Sequence, residues 1–243
     1  MKFVRKTILT IIAVALPMAV VVPVKANPNT VVLDATSYYP GLGGGEFTAY
    51  TLPETFLGNY APVAQAYGGF ETFCMETGVE FSPGTLYYYT LGNVTQPTPG
   101  NAQQGSGLAL SQGVAYLYYQ FGKGLLSDFN YTPGAGRQAD DNLLQAAIWA
   151  LQGGQSYGGY PTPITDNKFY NDAIAHFNGS LTDAASAYTG SDVQVLQVWI
   201  NPDNTGAAQN QLVLTSVPDG GLTVALLGGA LIGLQVLRRK FFC

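Results

Sequence analysis

Two cysteines and one histidine occur in the 243 residues of the chain, so few side chains could act as a covalent nucleophile or its base. Cys74 lies in "FCMETGVEF" (73–81). Cys243 ends the chain behind Arg238, Arg239 and Lys240. With Cys243 on the far side of that basic cluster, Cys74 has no intramolecular disulfide partner. It is then an inert buried thiol, an intermolecular bridge, a nucleophile, or a thiol joined to something other than sulfur. One histidine and one available cysteine cannot assemble a zinc site of ordinary spacing. The acids are scattered without an EF-hand pattern. "NPDNTG" (201–206) reads as an Asn/Asp-rich turn, and "GLGGG" (41–45) and "PGAGR" (133–137) read as plain loops, without the strand–helix context of a phosphate loop.

A cysteine hydrolase would use His176 to ionise Cys74. However, "AIAHFNGS" (173–180) places His176 near the end of an amphipathic helix, and no family signature surrounds Cys74. The other partner of interest is Gln145 in "LLQAAIW" (143–149). Asn142 and Gln145 have capping-box spacing, and Leu144, Ala147, Ile148 and Leu151 form a core face; together these account for the segment without chemistry. A carboxamide is also a latent electrophile. If a thiol is held against it as a near-attack pair and water is excluded, the two can join.

The pair "FCME" on a strand and "LQAAIW" on a helix resembles the thioester domains of bacterial surface adhesins. The resemblance spans about residues 45–216. It implies that Cys74 supplies the thiol and Gln145 the carboxamide of an internal thioester. Phe73 matches the aromatic before the cysteine, and Ala147, Ile148 and Trp149 match the packing run that lines the thioester pocket. Leu144 stands where many members carry Thr. A helix starting near Asp140 would put Gln145 close to its N-terminus, with free N–H groups and the positive dipole end facing a developing oxyanion. No cofactor or metal is implied. A thioester of this kind acts once, by transfer to an amine or hydroxyl, and is not a turnover enzyme.

The elements that must position these residues follow from periodicity. "NTVVLDAT", "GEFTAYTL", "GFETFCMETGVEF" and "TLYYYTL" read as strands, with Phe70, Thr72 and Cys74 on one side and Glu71, Phe73 and Met75 on the other. Helical spacing follows over 105–121, about 140–152 and about 166–177. Strands return in "VQVLQVWINP" and "NQLVLTSV" as a hairpin. The predicted fold class is α+β, with β-sandwich or barrel-like strands at both ends of the domain and an inserted helical subdomain.

The two ends of the chain carry sorting information. Lys2, Arg5 and Lys6, an apolar run over 8–22 and "VKA" (24–26) form a secretory signal peptide over 1–26. Residues 217–243 hold Val217, Pro218, Asp219, Gly220 and Gly221, then a short apolar stretch over 222–237 and the basic cluster. The apolar stretch is brief for a membrane span, and the basic residues orient the tail inward. This arrangement resembles the VPDSG form of PEP-CTERM sorting tags, with Gly220 in the place of Ser. It implies a Gram-negative protein held briefly in the inner membrane, cut by an exosortase and passed to the cell surface or exopolysaccharide matrix. An ordinary C-terminal anchor is the alternative.

Between the tags, residues 27–216 form one domain with three basic and fourteen acidic residues, a net −11. So acidic a body repels a phosphate backbone, and nucleic acid is excluded as a partner. The leading expectation is an exported protein whose Cys74–Gln145 thioester attaches it covalently to an amine- or hydroxyl-bearing target. The alternatives are a non-covalent extracellular matrix or adhesion module and, behind it, the Cys74/His176 hydrolase.

Overall fold

Six strands form where the β-branched and aromatic runs stand in the sequence: β1 (Thr30–Ala35), β2 (Phe47–Leu52), β3 (Phe70–Thr72), β4 (Thr85–Gly92), β5 (Val193–Trp199) and β6 (Gln211–Leu214). The structure is a computed structural model describing residues 29–35, 45–52, 69–96, 107–154 and 163–215. The signal peptide and the sorting segment, including Val217 to Gly221, lie outside the described residues.

All neighbouring strands are antiparallel, in the order β3-β2-β1-β4-β5-β6. The two ends of that order then approach one another. Cys74, just past β3, pairs with Gln211 at the start of β6. Met75 N–H donates to Asn210 O (3.0 Å) and Leu212 N–H to Phe73 O (3.2 Å). The sheet thereby curls into a nearly closed barrel, which hides the unpaired groups that an open edge would expose. The α+β expectation holds, with the strands in one curled sheet.

Period-two alternation sorts the side chains between two cores. Val31 and Leu33, Ala49, Phe70, Tyr87 and Tyr89, Leu196 and Val198, and Val213 come from all six strands and fill the inside of the barrel. Val193, Val195, Leu212 and Leu214 face the other way, where the helices pack, together with Phe73 and Met75. β5 and β6 are thus buried on both faces, which is why they read as nearly continuous apolar runs.

The helices are α1 (Gln112–Gly122), α2 (Ala135–Leu151), α3 (Lys168–His176) and α4 (Leu181–Ala184), with one 3₁₀ turn at Ile164–Asp166. Ser111 caps α1 by accepting from Val114 N–H, and Asn167 caps α3 by accepting from Phe169 and Tyr170 N–H. Leu117, Tyr118 and Phe121 of α1, Leu144, Ile148 and Leu151 of α2, and Phe169 and Ala173 of α3 share one core against the sheet.

α2 departs from the sequence reading. It begins at Ala135, so "PGAGR" is the helix entry rather than a plain loop, and Asp140 and Asp141 lie inside the helix rather than in its first turn. The boundary is set by Gly134, whose φ of 138° and ψ of −170° belong to a region essentially restricted to glycine. Gly134→Ala is expected to cost about 1–3 kcal/mol of stability, read as a lowered thermal midpoint with the helical circular-dichroism signal retained.

Candidate functional site

The placement of Cys74 follows from the barrel seam. β3 ends at Thr72, and the chain continues along the start of β6 as an isolated bridge, with Thr72 Oγ1 donating to Leu212 O (2.6 Å). Cys74 is held between two backbone hydrogen bonds, that of Met75 to Asn210, just before β6, and that of Phe73 to Leu212 in β6. It is 1% exposed and a free thiol.

α2 delivers Gln145 onto this seam. Its carboxamide closes a two-point pair with the main chain of Cys74: Gln145 Nε2 donates to Cys74 O at 2.8 Å, and Cys74 N–H donates to Gln145 Oε1 at 2.9 Å. A second donor, Gly45 N–H, reaches the same oxygen at 3.2 Å. Gln145 is fully buried. Two backbone N–H groups therefore converge on the carboxamide oxygen, the arrangement that stabilises an oxyanion during acyl transfer.

This replaces the helix-terminus account. Gln145 sits well inside α2, far past the first turn, so neither free helical N–H groups nor a capping box with Asn142 is available there. The donors come instead from Gly45, just before β2, and from Cys74 itself.

The thiol has its own setting. Gln211 Nε2 lies 3.7 Å from Cys74 Sγ. Burial pushes the thiol up well beyond the usual range; Gln211 and the Gly45 N–H pull the other way, and the Glu76 carboxyl adds to the rise. Cys74 is thus a neutral thiol at neutral pH. Burial also raises Glu76 to about 8, against hydrogen bonds from Asn210. Asn210 N–H donates to Glu76 Oε2 at 3.0 Å, and its side-chain amide donates to Oε1.

Trp149, one turn beyond Gln145, packs directly with Cys74, and Phe47, Phe81 and Ala146 cover the pair. Phe47 and Phe81 meet edge to face, with ring centroids 4.8 Å apart. Of the predicted pocket residues, Trp149 faces the cysteine. Ala147 and Ile148 lie in the helix–sheet core, as does Phe73, which packs edge-on against Phe121. Gly45, Ala146, Gln211, Phe47 and Phe81 are site residues that the sequence reading missed. A backbone donor such as Gly45 leaves no side-chain signal, and Gln211 is joined to the site only by strand pairing.

His176 is elsewhere. Its exposed ring stacks on Tyr116 (centroids 3.9 Å apart) and meets Phe177 edge-on, in a shallow cleft bordered by Tyr119 and Tyr188. The structure does not bring it to Cys74, which leaves the hydrolase without its base. No cluster of His, Cys, Asp and Glu suited to a metal ion occurs among the described residues.

Beneath the site lies a buried charged cluster. Arg137 Nε donates to Glu46 Oε2 at 2.8 Å, and its Nη2 donates to Glu46 Oε1 and, at 2.8 Å, to Glu71 Oε2. Arg137 Nη1 donates to Tyr131 O at 2.8 Å. Asp141 completes the group beside Glu46. All four side chains are essentially inaccessible. Burial first, and then the neighbouring Glu46, raise Glu71 to about 9 and Asp141 to about 10. Three carboxyls and one guanidinium sum formally to −2; protons on Glu71 and Asp141 bring the cluster to zero, the condition under which it can be buried.

Among known proteins, residues 216–241 match the VPDSG-CTERM motif. No curated protein and no solved structure shows significant similarity to the chain. The motif match marks a C-terminal sorting signal: the chain is exported, processed by an exosortase-type enzyme and carried across the membrane to the cell surface. No helix among the described residues is long and apolar enough to cross a membrane.

Proposed function

We propose that Cys74 and Gln145 join as an internal thioester and that the protein uses it once, for covalent attachment to an amine- or hydroxyl-bearing target at the cell surface or in the surrounding matrix. The observation that carries this reading is the carboxamide of Gln145 paired with the main chain of Cys74, its oxygen held by the N–H groups of Cys74 and Gly45. In the bond-forming step Sγ attacks Cδ, and the developing negative charge falls on Oε1 between those two donors. The C–N bond then breaks, and the nitrogen leaves as ammonia, taking the thiol proton. The dry surroundings of Trp149, Phe47 and Phe81 slow hydrolysis of the product. An incoming amine repeats the sequence in reverse: it bonds to Cδ, the C–S bond breaks, and the proton lost by the nitrogen returns to sulfur.

Gln211 is suited to the leaving sulfur. Its amide N–H faces Sγ and favours the thiolate that departs when a target attacks. The sorting signal supports the same use, since a protein delivered to the cell surface is placed where attachment has a purpose.

Intact mass spectrometry of the exported body is the test. The expected mass is one ammonia below the sequence mass, and methylamine adds to that species stoichiometrically. Cys74→Ala and Gln145→Ala each abolish both effects. A wild-type protein at full sequence mass that ignores methylamine would leave Gln145 as a purely structural clasp and the protein as a non-covalent surface module.

A further inference from the structure

We propose that the buried cluster of Arg137, Glu46, Glu71 and Asp141 is the positioning device of the thioester site, holding in one register the three chain segments whose atoms meet at the Gln145 carboxamide. This inference rests on the thioester reading and adds to it a set of residues that touch no reacting atom.

The connectivity makes the case. Glu46 is the residue after Gly45, which supplies one N–H to Oε1. Glu71 stands on β3, three residues before Cys74, which supplies the other N–H and the sulfur. Asp141 and Arg137 lie one and two turns before Gln145 on α2. Arg137 therefore ties the helix that carries the electrophile to both segments that carry its donors, through charge-assisted bonds in a water-free setting. Phe129 and Tyr131 flank the guanidinium at 5.7 and 5.9 Å and fix its plane. Near-attack geometry tolerates errors of only a fraction of an ångström, and no other described ion pair links these three segments.

The cluster also has a charge requirement. Neither oxygen of Asp141 receives a hydrogen bond from an N–H or hydroxyl, nor does Glu71 Oε1. Those oxygens face other carboxyls, so protons must be shared within the cluster. The remaining titratable groups nearby are Tyr118, whose hydroxyl donates to Glu71 O at 2.7 Å, and Tyr131; both are pushed above the ordinary tyrosine range. Over the working range the state of the cluster is thus set by Glu71 and Asp141. Their ionisation in alkali puts like charges together and pries the segments apart.

Re-closure of the bond reads this out. Ammonia opens the thioester back to thiol and carboxamide, and removal of the ammonia lets it close again, followed as the loss of one ammonia by intact mass. Arg137→Met is expected to slow re-closure at least about tenfold while the circular-dichroism spectrum stays that of the wild type. Wild-type re-closure is expected to fall severalfold from about pH 8 to above about pH 10. The Glu71→Gln/Asp141→Asn double variant keeps the amide donors toward Glu46 but cannot ionise, and its rate falls less than that of the wild type, only by the share of Glu76, which burial beside Cys74 raises to about 8. Equal rates for a folded Arg137→Met variant and the wild type overturn the proposal. If Arg137→Met does not fold, the double variant decides: an alkaline fall identical to that of the wild type overturns it as well. A wild type that never shows the ammonia-lighter mass fails at the earlier step, and the thioester reading falls with it.

Discussion

Gln145→Ala, introduced into the Cys74→Ala protein, is expected to cost about 3–5 kcal/mol of folding stability, although neither protein can form a covalent bond. The Cys74→Ala background removes the cross-link from the comparison, so the difference reports only what the carboxamide does as a hydrogen-bonding group. That group makes three contacts in a fully buried setting: it accepts from Cys74 N–H and Gly45 N–H and donates to Cys74 O. Truncation leaves two backbone donors and one acceptor without partners and out of reach of water. Each such orphan costs about 1–3 kcal/mol, and neighbouring losses do not add fully. Cys74→Ala on its own removes a sulfur and retains its main-chain bonds. Measured by urea denaturation, a difference below about 1 kcal/mol would mean that these bonds are absent in solution. The same experiment separates structure from chemistry: the two substitutions abolish attachment equally but destabilise very unequally.

The second large effect is the response to pH. The protein is expected to grow less stable as pH rises from about 5 to about 8, by about 1–3 kcal/mol per pH unit. Glu76, Glu71 and Asp141 are raised by burial to about 8, 9 and 10. In the folded state each keeps its proton through the neutral range, whereas in the unfolded chain each releases it near pH 4. The native state therefore binds more protons than the unfolded one, and stability falls with pH, at up to about 1.4 kcal/mol per unit for each group. The stabilisation is fully present below the unfolded values and is lost as pH rises through the folded ones. Relaxation and water entry keep the observed slope below the sum. Denaturation midpoints at pH 5, 6.5 and 8 check the sign, and midpoints that rise with pH would contradict it. Glu71→Gln/Asp141→Asn should flatten most of the slope.

Much of the scaffold could be read from residue patterns. Strands β1, β2, β4, β5 and β6 and helix α3 stand where alternation and 3.6-residue spacing put them, because local period and buried face coincide there; β3 stops at Thr72, and α1 starts only at Gln112, seven residues after Gly105, because Ala109 and Ser111 pair as β-bridges instead. The start of α2 could not be read. "PGAGR" carries two glycines, and "DD" looks like the acidic first turn of a helix; yet Gly134 is the entry and Asp141 is buried against Glu46. Charges inside a helix are normally solvated, and only tertiary partners reveal the exception. The four-residue α4 is too short to leave a periodic signal.

For the site, Cys74, Gln145 and Trp149 could be found by residue type and motif, and the structure brings the three together. Gln145 owes its oxyanion donors to tertiary structure rather than to its own helix. Backbone N–H groups from two distant segments stand where a helix terminus would have served. Barrel-like strands could be read, but not the seam that closes them, since the pairing of Cys74 with Gln211 joins positions far apart in the chain and depends on the curl of the whole sheet.

The order of the elements bears on how an attached protein would carry tension. The sorting segment follows β6, so a tether at the C-terminal end pulls on Gln211–Leu214 first. With a target joined at Gln145, the covalent route from target to tether runs through the rest of α2, α3, α4, β5 and β6. It passes by β1 to β4 and the freed sulfur altogether. Four of the six strands would then lie off the covalent path, and resistance to pulling would rest on the pairing of β6 with β5 and with the Phe73–Met75 segment at the seam, and on the helix–sheet core.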